Sequence, residues 1–274
     1  MLVHISSLQN QRIKQTVKLN SRRYRDQQKR TLVEGVREVN QALASGLTPY
    51  EAYICPSLLQ DGAAETAVSR LNELANQGQT DLFEVTPTVF AKIAYRGESG
   101  GILLVVPYLR HSLANLPLGQ PPFVVIVEAV EKPGNLGAIL RTADAVGVDG
   151  LIVCGSGEAH GTDIHNPNVI RASLGALFTV PTVGAENGRV QSWLREKNIQ
   201  VIATTPDAQT VYTAVDMTGP TAILLGSESQ GLSQTWFQAA DKQVVIPMRG
   251  AVDSLNLSVS TALLLYEVLR QRSN

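Results

Sequence analysis

Cysteine is nearly absent from the chain. Cys55 and Cys154 are its two thiols among 274 residues, far apart and in no Cys-x-x-Cys pair. That excludes a disulfide-built scaffold and makes a reduced, cytoplasmic setting the simple expectation. Long apolar runs are missing too: "FVVIV" and "AILL" are far too short to span a bilayer. The opening "MLVHISSLQNQRIKQ" has no positive end followed by an apolar stretch, so no secretion signal is expected. Without one, the sequon "NLS" at Asn256 is an accident of sequence. Neither sign of charge dominates. A net charge of −1 argues against a generic nucleic-acid binder. Neither Gly-x-Gly-x-x-Gly nor the phosphate-loop pattern Gly-x-x-x-x-Gly-Lys-[Ser/Thr] occurs, and the glycines of "GSGEAHG" at Gly155 open no helix. A phosphate-cradling nucleotide site is therefore not indicated. The nucleophile elbow Gly-x-Ser-x-Gly is also missing. His160 and His165 sit near Asp163 without a nearby cysteine or a third ligand on a common face, so a surface loop is expected there and no metal.

What the chain does have is a core and a local excess of positive charge. It is 44% hydrophobic and 17% charged, which permits a sizeable buried interior and argues against disorder. The segment "NQRIKQTVKLNSRRYRDQQKR" gathers Arg12, Lys14, Lys18, Arg22, Arg23, Arg25, Lys29 and Arg30 against Asp26 alone. Such a cluster is an electrostatic footprint for phosphates, or else a solvated helix face.

The remaining pattern alternates strand and helix. "TLVEG", "YEAYICP", "DLFEVTP" and "GGILLVVPY" are strand-like, with helical periodicity over "VREVNQALASG", "AAETAVSRLNELANQG" and "TVFAKIAY". The proline-bearing "YLRHSLANLPLGQPPF" then interrupts the rhythm as a linker. From Phe123 a second series begins. "FVVIVE", "LIVC", "IQVIATT", "AILLG" and "QVVIP" are near-continuous apolar strands of the kind a parallel sheet buries on both faces. The expectation is an α/β chain of two domains, residues 1–105 and 122–274, joined by a linker over 106–121.

In parallel α/β sheets ligands bind beyond the carboxyl ends of strands. Four such ends are rich in glycine or polar residues: "EAVEKPGNLG", "TTPDAQ", "LGSESQGLS" and "PMRGAVDSLNLS". In the third, Gly226 and Gly231 flank Glu228 and allow the main chain to approach a ligand closely, although a plain turn capped by Ser233 reads the same residues. In the fourth, Ser254, Asn256, Ser258 and Ser260 exceed what capping one helix needs. In the first, Arg141 is a lone cation in a helix otherwise made for packing; an ion pair with Glu131 or Glu128 is the structural alternative.

Three of these loops, in order, resemble the motifs of the SpoU, or TrmH, group of SPOUT-class RNA 2′-O-methyltransferases. They are "NLGAILRTADA" with Asn-x-Gly-x-x-x-Arg intact, "LLGSESQGLS", and "IPMRGAVDSLNLSVSTA". The likeness covers roughly the last 150 residues, and "NPNVIRASLGALFTVP" is similar to the family's stretch between the first two motifs. The first domain resembles the L30e-like α/β/α substrate-binding domain that often precedes this catalytic domain, through "SRRYRDQQKRTLVEGVREVNQAL".

The resemblance implies a parallel-sheet catalytic domain with a deep trefoil knot, a homodimer formed through that domain, and S-adenosylmethionine as cofactor. Matching cofactor positions are Gly226, Ile246 and Leu255, with Met248, Asn256 and Thr204 near them. It makes Arg141 the catalytic arginine, with Asn135 and Glu228 holding loops and arginine, and Ser254 and Asn256 completing the site. It also gives weight to Arg12, Lys14, Lys18, Arg22, Arg23, Arg25 and Arg30 as RNA contacts. Two roles stay open for Arg141: general base, or orientation of the ribose phosphate and stabilisation of the developing alkoxide, since guanidinium groups keep their protons. The implied activity is methyl transfer to a ribose 2′-hydroxyl, with 23S ribosomal RNA the expected substrate and transfer RNA the alternative. A non-catalytic RNA- or ribosome-binding protein on the same fold, and a small-molecule α/β enzyme using another nucleotide, are the rival classes.

Overall fold

A computed structural model describes residues 3–60, 62–95, 100–155 and 163–273. His160 and the rest of "GSGEAHG" beyond Gly155 lie outside the described residues. Contacts divide the chain into two compact units. One is Met1–Leu109 with His165–Thr179; the other is Arg110–Ile164 with Val180–Asn274.

The first unit runs β1 (Val3–Ile5), α1 (Gln11–Lys18), α2 (Arg22–Gln28), β2 (Arg30–Glu34), α3 (Val36–Ala44), β3 (Glu51–Ile54), α4 (Gly62–Asn76), β4 (Asp81–Val85), α5 (Pro87–Ile93) and β5 (Ile102–Pro107). Its sheet has the order β1-β4-β3-β5-β2. β1, β4 and β3 pair in parallel, while β5 is antiparallel to both β3 and β2. Ile13, Leu32, Tyr53, Phe83 and Phe90 meet in its core. The basic segment forms two helices, with a turn at Leu19–Ser21 between them, and the second runs into β2.

That turn changes the meaning of Arg25, which the sequence offered as an RNA contact. Its side chain is 2% exposed. The guanidinium donates to the carbonyls of Leu19 (2.8 Å) and Asn20 (2.9 Å), the exposed chain end of α1. Orphan carbonyls at a helix C-terminus need such donors. Arg25 therefore belongs to the fold and presents no charge to a ligand.

The second unit runs β6 (Phe123–Glu128), α6 (Pro133–Val146), β7 (Gly150–Gly155), then α7 (Pro167–Ala172), which falls in the first unit, and β8 (Thr182–Glu186), α8 (Asn187–Glu196), β9 (Gln200–Thr204), β10 (Thr210–Val211), β11 (Thr221–Leu225), α9 (Gln234–Ala239), β12 (Lys242–Val245) and α10 (Leu257–Arg272). All of its strand pairings are parallel, in the order β10-β12-β9-β11-β6-β7-β8. Every residue of β6, β7 and β11 is buried, as their unbroken apolar runs require. β8 and the two-residue β10 were not expected from the sequence.

Two helices matter for the site. α6 begins at Pro133, a residue whose fixed φ suits the first helical position, and ends at Gly147 in the left-handed conformation. Asn135 thus lies in its first turn, and Arg141 stands six residues on, roughly 9 Å along the axis. α10 packs along α6 and buries Leu257, Leu264 and Leu265. Its far end is anchored by Arg272, which donates to the carbonyls of Pro121, Pro122, Met217 and Gly219. Among the described residues no helix is long and apolar enough to cross a membrane.

His165–Thr179, expected within the second domain, packs in the first unit. The Thr31 hydroxyl donates to the His165 carbonyl at 2.6 Å, the Leu109 N–H donates to His165 Nε2 at 3.1 Å, and the rings of Tyr108 and His165 stack at 3.7 Å. His165 is thereby committed to the fold.

Arg25→Leu removes the donor from two helix-end carbonyls, that of Leu19 being buried. We expect it to cost about 1–3 kcal/mol of stability in urea denaturation, whereas Arg23→Leu, on the exposed side of α2, changes stability by less than about 0.5 kcal/mol.

Candidate active site

The four polar loops picked out in the sequence follow β6, β9, β11 and β12. The sheet sets those strands side by side, in the order β12-β9-β11-β6. Strands distant in sequence therefore deliver their loops to one edge. A cavity of about 720 Å³ opens there, within the range that small-ligand sites occupy. Thr204, Gly226, Ile246, Met248, Leu255 and Asn256, the six expected cofactor residues, all line it, as do Glu228 and Ser254.

The loop after β11 is closed on itself. Ser227 and Gly231 exchange two backbone hydrogen bonds of 3.0 Å, and Gly231 has φ +67°. Gly226 lies so close beneath this closure that an added Cβ would overlap the Gly231 carbonyl carbon and the Leu232 nitrogen. Only glycine permits that approach.

Three loops are then tied by side chains. Asn135 Nδ2 donates to Glu228 Oε1, and Asn256 Nδ2 donates to Asn135 Oδ1 at 3.1 Å. Asn256 also caps α10, its Oδ1 accepting from the Ser258 N–H at 3.0 Å. A second tie joins the same loops, as the Ser229 hydroxyl donates to Glu131. Asn135 itself does not line the cavity; it reaches it through Glu228 and Asn256.

Arg141 stands apart. It is exposed on α6, outside the cavity lining, and has no ion pair or hydrogen bond among the described residues. The ion-pair alternative fails on its partners. Glu128 is buried and accepts from Asn187 Nδ2 (2.6 Å) and the Ser233 N–H (2.8 Å), and Glu131 is held by Ser229. The guanidinium is thus free for an anionic ligand.

Lys132 and Thr205 also line the cavity and were missed by the sequence reading. Lys132 lies just before the Asn-x-Gly-x-x-x-Arg pattern, within the charged "EKPGN" loop, which was its available signal. Thr204 offers a fit test for a polar ligand: its hydroxyl is buried without a hydrogen-bond partner among the described residues. A buried unpaired hydroxyl at a cavity wall is costly until a ligand satisfies it. Adjacent glycine-rich main chain and apolar Ile246, Met248 and Leu255 suit a ligand part polar and part apolar, as an adenosyl group is.

Among the expected RNA contacts, Lys14, Lys18, Arg22 and Arg23 are exposed. Arg12 is exposed but pinned, bonded to Glu51 at 3.0 Å and Asp81 at 3.2 Å. Arg30 lies over the Tyr50 ring, 4.3 Å from its centroid. Arg25 is buried, as described above.

Comparison with known proteins gives a consistent result. The SpoU rRNA Methylase family profile matches residues 122–266, and the MRM3-like substrate binding domain matches 10–104. The 23S rRNA (uridine(2479)-2′-O)-methyltransferase of Streptomyces viridochromogenes is 31% identical over 261 residues, 93% of this chain and 87% of that protein. The 23S rRNA (guanosine-2′-O-)-methyltransferase RlmB of Escherichia coli is 37% identical over 153 residues, 56% of this chain and 61% of that protein. Among solved structures, the SpoU methyltransferase AviRb from Streptomyces viridochromogenes, in complex with AdoMet, superimposes with a TM-score of 0.85 at 29% identity, covering 97% of this chain and 99% of that one.

Gly226→Ala forces the loop after β11 apart. We expect about 1–3 kcal/mol of lost stability by thermal unfolding, against less than about 1 kcal/mol for Gly188→Ala, where an added Cβ meets nothing within 4 Å.

Proposed function

Because the chain belongs to the SpoU rRNA Methylase family, we propose that it transfers a methyl group from S-adenosylmethionine to a ribose 2′-hydroxyl of ribosomal RNA, in the 23S molecule. One observation carries this reading: residues of the second and third motifs line a single cavity at one sheet edge, and Asn135 of the first is hydrogen-bonded to Glu228 and Asn256 in its wall. Relatives acting on uridine and on guanosine share the match, so the family leaves the modified base open.

S-adenosylmethionine brings a sulfonium methyl already activated toward a nucleophile. The chain's part is to bind it, align the hydroxyl in line and help that hydroxyl lose its proton. Main-chain groups around Gly226, Ile246 and Leu255 hold the cofactor, with the unpaired Thr204 hydroxyl as a donor. Asn135, Glu228 and Asn256 keep the loops in register, and Ser254 completes the wall. Arg141 meets the phosphate beside the target ribose and stabilises the alkoxide as it forms, its proton passing to a phosphate oxygen or water. A permanently charged, exposed guanidinium is better suited to that than to the role of base.

The remaining features belong to the same proposal. Residues 1–105 capture RNA and 122–274 carry out catalysis, with 106–121 as linker. Family membership supports a deep trefoil knot in the second part, a rare exception to unknotted chains. A homodimer formed through the catalytic part is supported by α10. Val259, Leu263 and Tyr266, at helical spacing on α10, are exposed, as are Val252 and Leu255 in the preceding loop. An apolar stripe of this kind on a soluble helix is an interface signature. A ribosomal substrate and two buried free thiols fit a cytoplasmic protein.

Arg141→Ala is expected to lower methyl transfer to RNA by at least about two orders of magnitude while AdoMet affinity, by calorimetry, stays within about three-fold. Methylation near the wild-type rate would remove Arg141 from the site. Val259→Glu with Leu263→Glu places two charges on the α10 stripe. Light scattering should then give the monomer mass, and a persistent dimer would refute this interface.

A further inference from the structure

We infer that the first unit carries a seat for an unpaired RNA base, built around Tyr50. The inference rests on RNA being the substrate and adds where, and by what chemistry, single-stranded RNA is gripped.

A pocket of about 350 Å³ is lined by Tyr50, Arg30, Arg12, Glu51 and Asp81, together with the turn before β4. Tyr50 is 42% exposed, although it stands at the edge of a pocket in a chain with only 5% aromatic residues. The Arg30 guanidinium lies over its ring, 4.3 Å from the centroid. An exposed ring stacked against a cation is the arrangement that extends to a third planar group, a nucleobase.

The charges inside the pocket select a base over a phosphate. Arg12 is bound to both Glu51 and Asp81, and the two cations of the pocket are matched in number by two carboxylates. A phosphate gains nothing from so balanced a site and is repelled by its carboxylates. A neutral planar ring with polar edges loses nothing there. The phosphates have their own ground nearby. Lys14 and Arg23 are exposed on α1 and α2 and make no ion pair among the described residues. Lys18, one turn beyond Lys14 on α1, has its ammonium 5.8 Å from the Tyr24 ring. A smaller recess walled by Tyr24 meets the first pocket at Arg30 and Glu51. A backbone running along the exposed cations can thus turn a base inward at Tyr50. Duplex RNA hides its ring faces in the stack and offers nothing to such a seat.

The test uses the full chain and two RNAs: a hairpin whose unpaired loop carries 2-aminopurine, and the blunt duplex of its stem. Anisotropy gives the affinities, and quenching of the 2-aminopurine reports stacking. We expect the wild type to quench the loop probe. Tyr50→Ala should weaken loop binding roughly ten-fold and abolish quenching, Tyr50→Phe should keep both within about two-fold, and duplex binding should follow neither. A circular-dichroism spectrum and an unfolding midpoint equal to wild type certify that Tyr50→Ala is folded. Loop binding unchanged in folded Tyr50→Ala overturns the proposal and leaves this face to another class of partner, such as a protein. An equal loss of duplex affinity, or a wild-type complex that leaves the probe unquenched, also overturns it, and the last needs no variant. Tyr50-dependent loop binding by a wild type that takes no AdoMet would sink the methyltransferase reading and leave this one standing.

Discussion

The carboxamide of Asn135 is the point at which three loops of the second unit become one surface. Its Nδ2 gives a hydrogen bond to Glu228, after β11, and its Oδ1 takes one from Asn256, after β12. Asn135 itself sits in the first turn after β6. Both halves of the amide are used in opposite senses, a demand that an aspartate or a leucine of similar volume cannot meet. The loops need this tie because they have little else. Met248, Val252 and Leu255 are exposed, so apolar burial contributes little to ordering residues 246–256. A side-chain amide only 9% exposed holds what hydrophobic packing does not.

The backbone does the complementary work. Gly226 and the Ser227–Gly231 closure present main-chain groups to the cavity without side chains in the way. Apolar β11 and β6 beneath them are completely buried, which makes the floor rigid while the rim is polar. Loops carry the chemistry and the sheet carries the precision, the usual division in parallel α/β sites.

Much of this was legible before any coordinates. Buried parallel strands announce themselves as apolar runs, and "FVVIVE" and "AILLG" did. The motif loops named Gly226, Glu228, Ile246, Met248, Ser254, Leu255 and Asn256 among the residues that line the cavity. Other features were hidden for identifiable reasons. β1 and β10 are too short for a period to register, and "TVGAE" in β8 carries Gly184 and Glu186 where an apolar run was sought. Arg25 was hidden by a change of phase: α1 stops at Lys18 and α2 starts afresh at Arg22, so a single helical wheel drawn through the segment puts its charges on the wrong faces. His165–Thr179 joins the first unit through contacts to residues more than a hundred positions away, such as Thr31, which no local pattern encodes. Nor could a list of strands say that β12, β9, β11 and β6 are neighbours, the fact that turns four loops into one site.

The two kinds of polar residue at this site answer to different partners. Asn135, Asn256 and Glu228 satisfy one another in the free protein, and their arrangement exists before any substrate arrives. Arg141 has no such partner among the described residues and stays in water. An exposed charge costs nothing to keep and contributes little, because water screens it. Its field becomes strong only when an RNA backbone displaces that water and supplies the opposite charge. The loops around the cavity are thus preorganised, and under the proposed function the guanidinium acts with full strength only on a correctly seated ribose. The balanced pocket at Tyr50 follows the same logic: where charge is already paired, shape and ring stacking decide, and where it is left unpaired, the phosphates do.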